Sequence, residues 1–265
     1  IKGPETINLL KEIWEDLRMA YKFGSLIRIE EKIERVTAKL KGPGQAILWA
    51  SSELTFWDEW KEKVFIRIKE VLQKYSKNTN GNKKFFKTKT QDSMIFAEII
   101  SNKYDIAVAN PPYTDSGSYG KELKNFITKN YKKPLSFYSN LYVVFLKRCS
   151  ELINENGKIG MIHPHTFMFI KSYEDVRKFI LNNFHINLFA DYGLDRVNLF
   201  GPNILLESVF YIFEKSNYNK SSIFLTVTFD LQEKFKKQEI INAFKDCILD
   251  NENKRIYKLD QSKLK

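Results

Sequence analysis

Cysteine is nearly missing from this chain: Cys149 and Cys247 are the only two in 265 residues, and no CxxC occurs. That excludes a disulfide framework and a cysteine-built zinc site, and a reducing, cytoplasmic setting fits best. Long apolar runs are also missing. No stretch approaches the roughly 20 apolar residues that a membrane-crossing helix needs, and no leader peptide is visible, so no membrane partner is expected. Acid is in short supply: 32 Asp and Glu stand against 43 Lys and Arg, a formal net charge of +11. That sign favours a polyanionic partner, nucleic acid first, although solvated lysine faces would give the same count. Apolar residues are not lacking, at 43% hydrophobic and 14% aromatic, which is enough for a packed core and argues against disorder. The chain opens on Ile1 rather than Met, which reads as a processed or excised piece of something longer.

Periodicity divides what is present into three stretches. Residues 1–84 read as helical. Leu10, Trp14, Leu17 and Tyr21 recur at helical spacing over 5–22, with Gly24 as the stop. A charged helix is predicted over 28–40, a turn at KGPGQ (41–45), and a helix over 56–75 with Trp57, Trp60, Val64, Ile68, Val71 and Tyr75 on one stripe. Residues 85–216 alternate. A short helix at 93–101 leads to a strand at 104–109, and a long loop covers 113–137. A helix at 139–154, a strand at 158–164 and a helix at 173–183 follow. Strands at 186–192 and 207–215 lack a helix between them and so pair as an antiparallel hairpin. This is an α/β sheet ending in a reversed edge. Residues 217–265 are a lysine-rich extension with one strand (223–229) and one helix (233–248).

The chemistry concentrates where the apolar run Ile106-Ala107-Val108-Ala109 meets Asn110-Pro111-Pro112-Tyr113. Prolines can simply punctuate a strand. But ligands of open α/β sheets bind at the carboxyl ends of strands, and these four residues occupy such an end. Asn110 offers a carbonyl acceptor, Pro111 stiffens the turn and leaves backbone carbonyls as acceptors, and Tyr113 offers a flat face. Two acceptors beside an aromatic plate suit a planar ring bearing an NH₂ group. Gripping both hydrogens of such an amine localises its lone pair for attack on an electrophilic methyl and stabilises the charge that develops. A base inside duplex DNA reaches such a corner only when flipped out, so a second aromatic is expected to face Tyr113.

The NPPY corner followed by SNLYVVFLKRCSELINENGKIGMIHPHTF (139–167) resembles the adenine-N6 DNA methyltransferases. GSLI (24–27), VANPPY (108–113), IHPHTFMFIKSYEDVRKFI (162–180) and the hairpin near 186–213 narrow the resemblance. They are similar to the PglX family of type 1 BREX phage defence and to large Type II restriction–modification methylases. The resemblance covers about residues 5–215. It implies the C-terminal half of a class I, Rossmann-like methyltransferase sheet with a helical N-terminal segment, S-adenosylmethionine as cofactor, and double-stranded DNA and other defence-system subunits as partners. By the same resemblance, Asn110 and the carbonyl of Pro111 hold the target amine, and Pro112 completes the motif. Tyr113 and Phe200 clamp the base, Asp92 and Asn110 touch the cofactor, and Leu141 and Phe145 line its adenine pocket. Phe200, Asp92, Leu141 and Phe145 also suit plain packing or surface roles.

The family's glycine-rich turn after a first strand, and the acid that ends its second, are not found in this sequence. The expectation is therefore a fragment that lacks the cofactor half and binds S-adenosylmethionine weakly by itself. Three other readings stay open: a DNA- or partner-docking piece without turnover, a cytosine-N4 methyltransferase, and an NPPY enzyme acting on protein glutamine. Residues 121–134, KELKNFITKNYKKP, either track phosphates or fold as a solvated amphipathic helix. His163 and His165 on one strand end would point the same way, yet without a third ligand a structural role is expected. No Pro-Cys nucleophile and no nuclease-like spacing of acids is found.

Overall fold

The computed structural model describes residues 12–32, 66, 92, 95–195, 206–216, 221–226 and 238–264, with scattered positions in the first and last of these stretches left out. The chain divides into two compact units, 1–102 and 103–265. In the first unit the described residues are mainly helical. Ile13, Leu17, Phe23, Leu26, Ile27 and Ile29 are buried together with half-polar neighbours. Helix Ala20–Phe23 ends at Gly24, whose φ of +50° is a backbone angle that only glycine adopts at little cost. The tryptophan stripe expected over 56–75 and the KGPGQ turn lie outside the described residues.

The second unit is built on one six-stranded sheet in the order β1-β2-β4-β3-β5-β6. The strands are β1 Tyr104–Ala109, β2 Ile153–Pro164, β3 His185–Asp195, β4 Leu206–Glu214, β5 Ser221–Thr226 and β6 Ile256–Asp260. β1 runs parallel to β2 and β3 parallel to β5, while β4 is antiparallel to both β2 and β3. β1, β2 and β3 therefore point the same way, and their carboxyl ends share one edge of the sheet. Helices α1 Lys121–Tyr131, α2 Leu141–Leu152 and α3 Glu174–Asn183 accompany the sheet, and further helical residues fall between 238 and 249. α2 is apolar almost all round. Leu141, Tyr142, Val143, Val144 and Leu146 are all buried, as expected for a helix covering a sheet rather than skirting it.

The alternation in ESVFYIFEK does what a half-buried strand requires. Val209, Tyr211 and Phe213 are sealed at 0–1% exposure while Ile212 faces out, and the Tyr211 and Phe213 rings stack at 3.9 Å. The hairpin β3–β4 forms as expected, but its reversed strand is no edge. β4 lies between β2 and β3, and β5 and β6 extend the sheet beyond β3. β6 was not foreseen, because KRIYKLD reads as a charged tail until it pairs with β5. β2 begins five residues earlier than its apolar run suggests. Asn156 takes φ +65°, and a Cβ on Gly157 would meet the Asn154 carbonyl oxygen at 2.8 Å. Asn-Gly thus bends the strand here instead of closing a helix. Part of the long loop predicted over 113–137 is α1, with Ile127 and Tyr131 buried, which agrees with the amphipathic-helix alternative.

Candidate active site

β1 ends at Ala109 because two prolines follow one residue later, and neither can extend a ladder. Asn110 and Pro112 are exposed, Pro111 is buried and Tyr113 is half-buried. The Tyr113 hydroxyl donates to Asn110 Oδ1 at 2.6 Å and stands 3.4 Å from the carbonyl oxygen of Ile162 on β2. Burial pushes the Tyr113 phenol above its ordinary pKa, so it stays a neutral donor. The motif thus forms one compact, solvent-facing set at the carboxyl end of β1.

What holds the corner is a pair of backbone ties to the start of α2. Leu141 N–H donates to Thr114 O and Ser116 N–H to Ser139 O, each at 2.9 Å. Asn140 joins both sides: its Oδ1 accepts from Tyr142 N–H at 3.3 Å as the helix N-cap, and its Nδ2 donates to Tyr113 O at 3.4 Å. The sequence reading missed Asn140. The signal was there, since an Asn directly before an apolar run marks a helix start. Leu141 is buried and Phe145 half-buried. They are one turn apart on one face of α2, and Leu141 is tied directly to the corner. Asp92 is an exposed helical residue of the first unit, and Phe200 lies outside the described residues.

Behind the corner is a sealed aromatic plug. The His163 ring stacks on Tyr142 at 4.4 Å and 14°, with Nδ1 2.9 Å from Pro164 O and Nε2 2.9 Å from the Tyr211 hydroxyl. A carbonyl can only accept, so Nδ1 carries the proton and Nε2 accepts from Tyr211. Burial lowers the His163 pKa to about 4, against the opposing pull of the Pro164 carbonyl. Tyr142 in turn shares a 3.1 Å hydrogen bond with Thr166.

His165 does not pair with His163, because the strand has ended and His165 opens a 3₁₀ turn, His165–Met168. Its Nε2 lies 2.6 Å from Glu207 Oε2 and its Nδ1 3.4 Å from Asp191 Oδ1. Glu207 lies near the start of β4, so the Nε2 hydrogen bond fastens that strand's start to the end of β2, while Nδ1 has no hydrogen-bond partner among the described residues. The sequence reading did not connect these three residues, which are far apart in the chain. Among the described residues no group of His, Cys, Asp and Glu gathers as a metal site would. No described helix is long and apolar enough to cross a membrane.

Comparison with known proteins agrees with this geometry. Over 79 residues the chain is 42% identical to the adenine-specific methyltransferase PglX of Lacticaseibacillus casei (strain Zhang), covering 30% of this chain and 6% of that protein. Over 166 residues it is 29% identical to the adenine-specific methyltransferase BrxX of Escherichia coli O9:H4 (strain HS), covering 60% of this chain and 13% of that one. The chain therefore spans only a small part of these relatives. Among solved structures, the ATP-dependent Type ISP restriction–modification enzyme LlaBIII bound to DNA aligns with a TM-score of 0.50 at 15% identity, over 66% of this chain and 13% of that one. What the two share is the fold, a mixed α/β sheet with helices. The pattern of the Eco57I restriction–modification methylases matches residues 28–200, well over half of the sequence, and the chain belongs to that family.

Proposed function

We propose that this chain carries the amine-gripping corner of a site-specific DNA adenine-N6 methyltransferase acting in restriction–modification or BREX defence. The observation that supports this most is the exposed Asn110 carboxamide. It sits at the carboxyl end of β1 with Tyr113 hydrogen-bonded beside it at 2.6 Å, and the Tyr113 carbonyl is in turn held by Asn140. Asn110 Oδ1 and the Pro111 carbonyl accept the two hydrogens of the target amine. They draw its nitrogen toward a pyramidal shape, so that the lone pair leaves conjugation with the ring. The same two oxygens stabilise positive charge arriving on that nitrogen, and they need no reorganisation to do so. Tyr113 stacks on the flipped base. The surplus proton of the amine would leave for solvent.

The residues present fit S-adenosylmethionine in chemistry. Leu141 and the half-buried Phe145 give an apolar face one helical turn long, tied at Leu141 to the corner by the Thr114 carbonyl. These two would hold the cofactor's adenine, with Asn110 beside its methyl. Bound there, the cofactor supplies a sulfonium methyl as electrophile. α1 adds charge of the sign that DNA requires: Lys121, Lys124 and Lys129 are exposed, while Ile127 and Tyr131 are buried.

Incubating the intact protein with methyl-labelled S-adenosylmethionine and either duplex DNA or a glutamine-bearing release factor tests the assignment. Label recovered as N6-methyladenine is the expected result. Label in 4-methylcytosine or in the release factor, or DNA binding without any transfer, would replace this reading with one of its alternatives.

A further inference from the structure

Beyond β2 the chain makes two 3₁₀ turns, His165–Met168 and Lys171–Tyr173, at the sheet end that also bears the NPPY corner. Between them Phe169 and Ile170 stand 66% and 47% exposed. The backbone under them is firmly braced. Phe169 N–H and Ile170 N–H both donate to Thr166 O, at 3.2 and 3.1 Å, and Tyr173 N–H donates to Ile170 O at 3.1 Å. Arg177 of α3 donates Nη1 to Phe167 O and to Ile170 O, each at 2.8 Å. The Phe169 ring stands edge-on to His165 at 5.2 Å and 84°, and His165 is itself fixed by Glu207. A slack loop would fold two such side chains inward. This one is held by five hydrogen bonds so that they stay out.

We propose that Phe169 and Ile170 form an apolar wedge that enters the DNA base stack beside the flipped adenine. The proposal rests on reading the NPPY corner as a DNA-amine site. It names a further element of that site, one that opens the base pair rather than touching the amine. Apolar side chains on a stiff support are what unstacking a base step requires. A base stack is an apolar surface edged by phosphates, and the exposed Lys171 directly follows the pair, which puts a cation where a backbone phosphate would be. Extruding a base costs least where it is already unpaired, so a wedge contributes only when the pair is intact.

That property makes the test. In the intact protein, single-turnover methylation is measured for wild type, Phe169→Ala/Ile170→Ala and Phe169→Leu on a matched duplex, and on the same duplex with an abasic site opposite the target adenine. The double variant is expected to lose roughly ten- to a hundredfold on the matched duplex. It should recover to near the wild-type rate on the abasic one, while Phe169→Leu, which keeps apolar bulk, retains most activity on both. Melting and near-ultraviolet circular dichroism should be unchanged. The proposal is overturned by a matched-duplex rate equal to wild type, by equal losses on both duplexes, or by a drop in melting temperature showing that the pair packs within the protein. Failure of the corner itself looks different, since Asn110→Ala would then methylate both duplexes at the wild-type rate.

Discussion

Two tyrosines of this unit each hold hydrogen-bonded contact with a polar neighbour, and their surroundings give them opposite roles. Tyr211 meets His163 at 2.9 Å inside the sheet, both residues 1% exposed. Tyr113 meets Asn110 at 2.6 Å in solvent. The same kind of bond is scaffold in one place and available chemistry in the other. Inside, the Tyr211 hydroxyl and both His163 nitrogens find partners within the fold, and loss of one leaves an uncompensated polar group. Outside, water can replace either partner, so the fold does not depend on the bond and the acceptor can be handed to a ligand. The strands carry the same contrast. β4 is sealed by neighbours on both sides. β1, equally apolar in sequence, shows Ile106 and Val108 at 65% and 79% exposure and pairs with β2 alone among the described residues.

The contrast can be broken from the inside first. His163→Ala removes a stacked ring and strands the Tyr211 hydroxyl, so a loss of about 3–5 kcal/mol is expected in denaturant unfolding. A loss below ~1 kcal/mol would mean that the plug is no scaffold. Acid should act next. His163 binds its proton near pH 4 when folded and near 6.5 when unfolded, so between those values the unfolded chain holds more protons. Stability contributed by keeping the ring neutral is therefore complete above pH 6.5 and is lost as pH falls toward 4, on the order of 3 kcal/mol in all. Stability measured across that window should fall in the wild type and fall distinctly less in a His163→Gln variant. On the outside, Tyr113→Ala should leave the melting temperature alone and weaken binding of an extruded base by about 1–3 kcal/mol, read with 2-aminopurine at the target position.

Much of this was legible because local and global preferences agree. β1 was placed to the residue, since Tyr104–Ala109 is an apolar run bounded by Lys103 and by the prolines. The hairpin followed from alternation in ESVFYIFEK and the absence of a helix before it. Failures came where pairing decides. β6 is polar, and only its ladder with β5 makes it a strand. The start of β2 depends on one left-handed Asn and a glycine with no room for a side chain. The position of NPPY at a strand end was readable from chain order. Its anchoring by Asn140, and the tie of His165 to Glu207, join residues distant in sequence, which no local pattern encodes. Asp92, Leu141 and Phe145 rest on resemblance for their roles, and the structure adds only that Leu141 is fastened to the corner.

The most direct measurement of the central claim is single-turnover methyl transfer by Asn110→Ala in the intact protein, with melting recorded on the same sample. Removing an exposed acceptor that acts on the transition state should cut transfer by a hundredfold to a thousandfold or more, while stability stays within about 0.5 kcal/mol. An alanine variant that transfers methyl groups at the wild-type rate would show that the amine is activated by something other than this carboxamide.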